Sequence, residues 1–407
     1  MPPFEPSRAA AEAALQAFLP RAGHAYRAER NHDRGPGHHS AVSRLSPWLR
    51  HRLLLEDDVL RAVAAQHTVR DAEAYLAEVL WRGYFRGHLE HRPAVWARYL
   101  EERIAAQAAL QDDDRLREQV ETATRGETGI ACFDAWVHEL RDTGYLHNHA
   151  RMWFASIWVF TLRLPWQLGA DVFLTHLIDG DPAANTGSWR WVAGLHTPGK
   201  TYCATADNIA RFTGGRFGTV TGLADTAPAL TESPLPPPQP PVFSATAPLP
   251  AGARLGLLLL ESDCQAESLP LPQAPASVLA LTDPCARSVA PLAPAAAQFT
   301  RAALSDALQR AGHAFDLTPH GDDREDWRAA VRDWLNRDRV DAIAVARPPI
   351  GWVHDRVEPV LRALELDGVP LHRITRVHDQ RVWPHSSKGF FKLKKPLSQI
   401  VASAVEG

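Results

Sequence analysis

The sequence predicts a helical N-terminal domain followed by a C-terminal α/β domain with a largely parallel sheet. From about residue 5 to residue 220, apolar residues recur at three- and four-residue spacing and alternating β-branched runs are few, which is the pattern of amphipathic helices. After residue 252, short apolar runs alternate with amphipathic stretches, and this alternation is typical of βα units around a parallel sheet.

A Pro-rich stretch, residues 226–252, separates the two patterns. It cannot continue a helix and favours extended polyproline conformation, so we expect a linker between a helical domain of residues 1–225 and an α/β domain of residues 253–407. Neither GxGxxG nor GxxxxGK(S/T) follows the strands of the second domain, so a bound nucleotide is expected elsewhere. The α/β domain is predicted to contain strands at 255–260, 278–282 and 342–345 and helices near 296–311, 323–337 and 354–366.

The composition, 45% apolar and 22% charged residues in a chain of 407, is that of a soluble globular protein with two or three domains. The net charge of -3 argues against a uniformly basic nucleic-acid coat, although a local positive groove is compatible with it. The N-terminus lacks the cationic start and apolar core of a signal peptide, and no apolar run has membrane-spanning length. We therefore expect a cytoplasmic protein with no membrane partner.

No metal site is expected. The four cysteines are scattered, with neither a CxxC pair nor a histidine cluster at ligand spacing. The Asp-Gly-Asp run at 179–181 could suggest a cation loop, but its acids do not have EF-hand spacing and no Glu closes it.

Three clusters in the helical half combine residue types that carry chemistry. In the first, Glu78, Trp81 and Arg82 share one face of a predicted helix; taken alone, they are also explained by an ion pair on a solvated face beside a packed Trp. The second cluster, residues 142–152, places Asn148 and Met152 one helical turn apart after a break at 144. The third, residues 177–191, joins two acids, an amide and two indoles in a segment rich in helix breakers.

Together with the Ser-Arg-Leu-Ser-Pro segment at 43–47, these clusters resemble the FAD-binding domain of the DNA photolyase and cryptochrome family. The four segments resemble the family's TSxLSP, ELxWRxF/Y, WMHNRxRM and DGDxAxNxGxWQW motifs, in that order, and the resemblance covers about residues 5–217. The family's helical domain normally follows an α/β antenna domain, whereas here it comes first. The resemblance therefore implies a permuted order, with a Rossmann-like antenna-type domain at the C-terminus and a possible second chromophore of unknown identity.

The resemblance implies that FAD is held folded inside the helical bundle. Arg151 and Asp179 should form a buried pair, Asp181 should meet the polar edge of the flavin ring and Asn185 should face its N5, although a loop-capping role also explains an Asn at 185. The cofactor-binding residues that the resemblance implies are Tyr26, Ser43, Leu45, Ser46, Tyr75, Arg82, Tyr145, Asn148, Arg151, Asp179, Asp181 and Asn185.

The resemblance also implies a substrate, UV-damaged DNA, because photolyases flip their target bases into a pocket. The residues that match this pocket are Glu78, Trp81, Asn148, Met152 and Trp191. Gln and His would replace this Glu and Met in the (6-4) subclass, so the pattern favours cyclobutane pyrimidine dimers. The implied activity is that of a deoxyribodipyrimidine photo-lyase, in which excited reduced FAD donates an electron to the dimer.

Several positions depart from the family pattern. Val42 stands where a Thr is usual, and His149 replaces an Arg that family members use near DNA phosphates. Trp189 and Trp166 match the proximal and middle indoles of the photoreduction chain, but Ala123 takes the distal place. The candidate replacements are Trp136, Trp153 and Trp158, and core packing is the simpler explanation for any one of them.

These departures keep two other functions open. One is a cryptochrome-like photoreceptor that binds FAD and signals to a partner without repairing DNA, and the other is a light-independent flavin or structural module. A lysine-rich run near the C-terminus, residues 388–395, could line a DNA groove or simply make a terminal helix soluble.

Overall fold

The computed structural model describes residues 4–243 and 249–406. Within residues 4–243 every regular element is a helix, as the periodicity predicts. These helices are α1 (Arg8–Phe18), α2 (His24–Glu29), α3 (Ser46–His51), α4 (Glu56–Ala64), α5 (Glu73–His91), α6 (Pro93–Asp112), α7 (Asp114–Arg125), α8 (Ala131–Thr143), α9 (Asn148–Ser156), α10 (Trp166–His176), α11 (Pro182–Val192) and α12 (Ala206–Thr213).

Side-chain caps and glycines set several of the helix ends. The Ser7 side chain accepts from the backbone N–H of Ala10 at the start of α1, and Asp113 accepts from that of Leu116 at the start of α7. Helix α8 ends at Gly144, whose φ of 66° is the left-handed conformation that favours glycine. The predicted break before Asn148 is therefore a helix C-cap.

The chain between α12 and the first strand contains neither helix nor strand in its described parts, 214–243 and 249–254. From residue 228 onward prolines account for this, since they cannot donate to a helix or a ladder, and in 214–222 four glycines have positive φ. Residues 244–248 of the predicted linker lie outside the described residues. The domain boundaries at 225 and 253 stay predictions.

The C-terminal half forms one five-stranded parallel sheet in the order β3-β2-β1-β4-β5, which is a Rossmann-like order and confirms the predicted fold class. Strands β1, β2 and β4 are wholly buried, as central parallel strands are. The elements are β1 (Leu255–Leu260), β2 (Ser277–Leu281), α13 (Pro294–Phe315), β3 (His320–Asp322), α14 (Trp327–Asp338), β4 (Ala342–Ala346), α15 (Trp352–Leu366), β5 (Leu371–Ile374), α16 (Val377–Val382), α17 (Phe390–Lys394) and α18 (Leu397–Glu406).

Buried ion pairs and a side-chain to backbone hydrogen bond join the helical half to the carboxyl end of the sheet. Arg50 of α3 donates to Glu261, the residue after β1, at 2.6 Å, and Arg52 donates to both carboxylate oxygens of Asp379 at 2.7 Å. Glu90 of α5 accepts from the backbone N–H of Ile350 beyond β4 at 3.0 Å. Ligands of open parallel sheets usually bind at this carboxyl edge, but here side chains of the helical half cover the ends of β1 and β4.

Helix α5 also allows an unusually close approach of the C-terminal segment. A Cβ at Gly83 would come within 2.8 Å of a methyl group of Val382, and a Cβ at Gly87 would come within 2.8 Å of the Trp383 backbone. Only glycine leaves enough room at these two positions, so one face of α5 is shaped for the segment that follows α16. No helix in residues 4–243 or 249–406 is both long and apolar enough to cross a membrane.

Candidate functional site

A cavity of about 620 Å³ opens in the helical half, within the usual size range of small-molecule sites. Its walls come mainly from α5, α9, α11 and the loop that leads into α3. Every residue that the sequence predicts for the substrate pocket or for the cofactor lines it, namely Tyr26, Ser43, Leu45, Ser46, Tyr75, Glu78, Trp81, Arg82, Tyr145, Asn148, Arg151, Met152, Asp179, Asp181, Asn185 and Trp191. The structure thus brings these residues together, and their individual roles stay predictions.

Arg151 and Asp179 form the expected ion pair, with 2.8 Å between Nη2 and Oδ2. The Asp179 side chain is almost fully buried, and that of Arg151 keeps 23% of its surface exposed. Burial alone would raise the pKa of Asp179, but the adjacent Arg151 guanidinium outweighs it and the pKa is lowered. The pair therefore places a carboxylate and a guanidinium, both charged, in the cavity wall.

Asp181 is held from two directions. One carboxylate oxygen caps α11 by accepting from the backbone N–H groups of Ala183 and Ala184 at 3.0 and 2.9 Å. The other accepts from Arg82 at 3.2 Å and from Arg86 at 3.1 Å. Burial opposes ionisation, but the Arg86 and Arg82 charges prevail and lower the pKa of Asp181. The predicted contact with the polar edge of a flavin ring would therefore come from a firmly ionised carboxylate.

Asn185 is oriented by the backbone of a neighbouring helix. Its Nδ2 donates to the carbonyl of Ala170 at 2.9 Å. Among the described residues its Oδ1 has no hydrogen-bond donor, so an acceptor is left at this point of the cavity wall. The side chain does not cap its own loop, because Asp181 fills that role at the start of α11.

Glu78 has a partner that the sequence reasoning missed. Arg30 lies just after α2 and approaches the Glu78 carboxylate to 2.6 Å. Burial raises the pKa of Glu78, while Arg30 opposes that effect. Arg30 also lies against the ring of Tyr26, 5.5 Å from its centroid. The four-residue spacing of Tyr26 and Arg30 on one helix face was the available signal.

Trp81 is covered on one side by a residue from the other end of the chain. Its ring stacks on that of Phe390, with 3.6 Å between ring centroids and 8° between the ring planes. Trp191, on the other indole wall, stacks more loosely on Tyr202 at 5.6 Å. The sequence suggests Phe390 and Phe391 only as rings among the lysines of a possible DNA groove; the contact of Phe390 with Trp81 was missed, because it depends on how α17 docks against α5 and not on any local pattern.

The loop before α3 supplies the polar end of the cavity. Arg44 has a φ of 55°, and its guanidinium lies over the rings of Phe4 and Tyr145, at 4.7 and 5.3 Å. Its Nε is buried without a hydrogen-bond partner among the described residues. Two serines, Ser43 and Ser46, flank this cation in the wall. Hydroxyls beside an incompletely bonded guanidinium suit the pyrophosphate of a dinucleotide, so the donor set fits FAD.

The roles of Trp189 and Trp166 in a photoreduction chain stay predictions, and the structure places the two indoles in different surroundings. Trp189 lines the cavity, whereas Trp166 lies outside it in a separate surface depression. The ring of Trp158 lies 6.4 Å from that of Trp189, and Gly169 permits this approach because a Cβ there would meet both indoles within 2.9 Å. Trp166 instead contacts Tyr99 at 5.6 Å.

His149 lies against aromatic rings. It stacks on Trp153 at 4.1 Å, and one ring nitrogen lies 3.0 Å from the carbonyl oxygen of Asn31. Burial lowers the pKa of His149, so the ring is neutral near pH 7. A neutral ring in this position provides no charge for a phosphate contact.

A buried acidic and histidine cluster lies behind the polar end of the cavity. Asp33, His39 and Glu139 have potential ligand atoms close enough to hold a cation. They are, however, bonded to neighbours: His39 Nε2 lies 2.7 Å from Glu139 Oε1, and Asp33 Oδ2 accepts from Trp136 and Arg216 at 2.9 and 2.8 Å. The cluster is explained as a buried ion-pair network, and the expected absence of a metal stays a prediction.

Comparisons with known proteins agree with the geometry. A family model described as the FAD-binding domain of DNA photolyase matches residues 75–213. The chain is 35% identical over 202 residues to a deoxyribodipyrimidine photo-lyase from Thermus thermophilus, covering 50% of this chain and 46% of that protein. It is 33% identical over 207 residues to one from a Synechococcus species, covering 47% and 39%.

A crystal structure of a bacterial class III photolyase from Agrobacterium tumefaciens superposes with a TM-score of 0.44 at 26% identity, over 52% of this chain and 44% of that one. That superposition is too partial to add to the sequence comparison. The chain spans less than half the length of the curated relatives described above. The matched region lies in the helical half, so the permuted domain order stays a prediction, whereas residues 75–213 are similar to the FAD-binding domain of DNA photolyase.

Proposed function

We propose that the protein is a light-dependent deoxyribodipyrimidine photo-lyase that repairs cyclobutane pyrimidine dimers in DNA with FAD. The observation that carries the proposal is that one cavity is lined both by the family's cofactor residues and by Glu78, Trp81, Asn148, Met152 and Trp191. A dimer and a flavin could therefore occupy the same cavity, as electron transfer between them requires.

The substrate side of the cavity offers chemistry that suits a flipped-out dimer. The parts of the Trp81 and Trp191 rings that Phe390 and Tyr202 leave uncovered can pack against its rings, and Met152 can fill the irregular gap between them. Glu78 and Arg30 form a joined acceptor and donor pair, which matches a pyrimidine edge that presents both N–H and C=O groups. Glu78 would hold that edge through hydrogen bonds as charge develops on it.

The cofactor side orients the flavin. FAD, when bound and reduced, would supply the electron that light drives to the dimer. Arg151 and Asp179 would fix the ring beside the substrate, and Oδ1 of Asn185 would accept a hydrogen bond from the N5–H of reduced flavin. A repair enzyme works where the DNA is, so we also place the protein in the cytoplasm of its cell.

A second candidate is a photoreceptor that binds FAD and signals to a protein partner without repair. The observation that favours it is the stacking of Phe390 on Trp81, which leaves less of that indole free for a dimer. The neutral, buried His149 points the same way, because one expected phosphate contact is missing.

Repair of a thymine-dimer oligonucleotide by the purified, reduced protein, in blue light and in darkness, tests the proposal. We expect light-dependent return of intact thymine, reduced at least tenfold by Glu78→Gln and unchanged by the exposed control Glu118→Gln. Bound flavin without repair would refute the repair function and favour the photoreceptor. Repair that is equally fast in Glu78→Gln would refute the role of Glu78.

A further inference from the structure

Four of the chain's five lysines lie within eight residues near the C-terminus, at 388, 392, 394 and 395. Lys394 forms an ion pair with Glu73, in the first turn of α5, with 3.0 Å between Nζ and Oε1. The other three are exposed and have no ion-pair partner among the residues that the structure describes. The ammonium groups are close enough that contact with Lys388 lowers the pKa of Lys392. The lysine segment, residues 388–395, is thus a cluster of uncompensated positive charge.

The lysine segment lies at the rim of the cavity. Phe390, between the first two lysines, stacks on Trp81 of the cavity wall at 3.6 Å. The ion pair of Lys394 with Glu73 holds the other end of the segment against α5, the helix that carries Glu78 and Trp81. The cluster is therefore fixed beside the candidate substrate pocket and not on a remote face.

The next residue of the segment, Phe391, is exposed, whereas Phe390 is buried. Phe391 is 80% exposed, which is unusual for a side chain of this size in a folded domain. Exposed aromatic rings among lysines are a feature of surfaces that bind nucleic-acid strands, where bases stack and ammonium groups meet phosphates.

We propose that the lysine segment binds the phosphate backbone of the DNA strand that carries the lesion, so that the C-terminal α/β half contributes directly to substrate binding. The proposal rests on the proposed function for the identity of the strand. Charge complementarity supports it, because the chain as a whole is acidic, with a net charge of -3, and this surface is locally basic. Lysine suits a contact of this kind, since it acts as a point charge on a flexible stem and imposes no base geometry.

The test compares three proteins: wild type, the triple variant Lys388→Gln, Lys392→Gln, Lys395→Gln, and a charge-matched control. The control replaces three exposed arginines outside the segment with Gln, at Arg254, Arg301 and Arg339. Affinities for dimer-containing and undamaged oligonucleotides are measured from about 50 to 200 mM salt. Flavin content and thermal unfolding show whether each variant is folded.

We expect the lysine variant to bind both oligonucleotides at least tenfold more weakly at low salt, with a salt slope shallower by about 2 to 3, roughly one unit per lost phosphate contact. The ratio of affinities for damaged and undamaged DNA should stay as in wild type, and the control should behave as wild type.

The outcomes separate this inference from the proposed function. Wild-type preference for dimer DNA with an unchanged salt slope in the lysine variant overturns the inference and leaves the proposed function standing. Equal wild-type affinity for both DNAs with a reduced slope in the variant supports the phosphate contact and counts against dimer repair. If the wild-type protein binds no DNA, or if the lysine segment binds vesicles of anionic lipid and not DNA, the inference is wrong.

Discussion

Asp179→Ala should weaken FAD binding through Arg151. In the wild-type protein Asp179 accepts from Arg151 at 2.8 Å, and the guanidinium also donates to the carbonyl of Leu146 at 3.0 Å. The Arg151 side chain lies in the cavity wall and keeps 23% of its surface in contact with solvent. A flavin that fills the cavity would remove that solvent, so in the variant the cost of an unpaired guanidinium falls on the binding step.

The size of the effect follows from the partial burial of the pair. Breaking a fully buried ion pair costs about 3 to 5 kcal/mol. Because Arg151 is partly solvated and keeps its bond to the Leu146 carbonyl, we discount this to about 2 kcal/mol. That free energy corresponds to a roughly 30-fold rise in the dissociation constant for FAD.

Fluorescence titration of the flavin-free protein with FAD measures this change. The control is Asp306→Ala, which breaks a pair of similar length outside the cavity, Asp306 to Arg310 at 2.8 Å, with an arginine about as exposed as Arg151. The control should bind FAD as wild type does. If Asp179→Ala binds FAD within threefold of wild type, or if the control loses as much affinity, the assignment of this pair to the flavin is wrong.

Three further predictions concern other parts of the molecule. Gly87→Ala should destabilise the protein by about 1 to 2 kcal/mol in chemical unfolding, because overpacking against the C-terminal segment outweighs the gain in helix propensity; Gly321→Ala, whose Cβ would meet its nearest neighbour at an ordinary 3.5 Å, should not. The pKa of Glu56 is lowered from 4.5 to about 2, since the Arg52 charge outweighs the effect of burial. Its ionisation therefore contributes about 3 kcal/mol to the free energy of unfolding above pH 4.5, and this contribution is lost as pH falls toward 2. In Glu56→Gln the free energy of unfolding should depend less on pH over that window. An unchanged pH dependence would contradict the pairing of Glu56 with Arg52. Trp158→Phe should slow flavin photoreduction under blue light several-fold. The control is Trp136→Phe, since the indole of Trp136 has no ring contact with Trp189 among those described. Equal photoreduction rates in the two variants would show that the contact of Trp158 with Trp189 is not on the electron path.

The central strands of the α/β half were predictable because burial on both faces leaves a continuous apolar run. Leu255–Leu260 was predicted with its observed bounds. Strand β3, His320–Asp322, has only three residues, two of them polar and one a glycine, and it lies at the sheet edge with no periodicity to detect. Strand β5, Leu371–Ile374, alternates over only four residues. Edge strands of this kind are fixed by pairing with their neighbours, which a local pattern does not report.

The candidate site divides in the same way. Residues such as Asp179 and Asn185 were found because they lie in segments whose order and spacing resemble a known family. Arg30 and Arg44 were missed as cavity residues because the pattern around them, such as the four-residue spacing of Tyr26 and Arg30, does not identify the side chains that they contact in the folded chain. Arg30 matters through Glu78, which lies 48 positions away in the chain, and Arg44 matters through the rings beneath it.

The contact between Phe390 and Trp81 depends on features that no single segment contains. It needs α5 to present Trp81 to the cavity while Gly83 and Gly87 let the C-terminal segment approach the same helix. Adding a side chain at either glycine would displace that segment, and with it both Phe390 and the lysines. The two glycines therefore link the α/β half to the rim of the cavity, so loss of that half should alter substrate affinity even where the flavin site is intact.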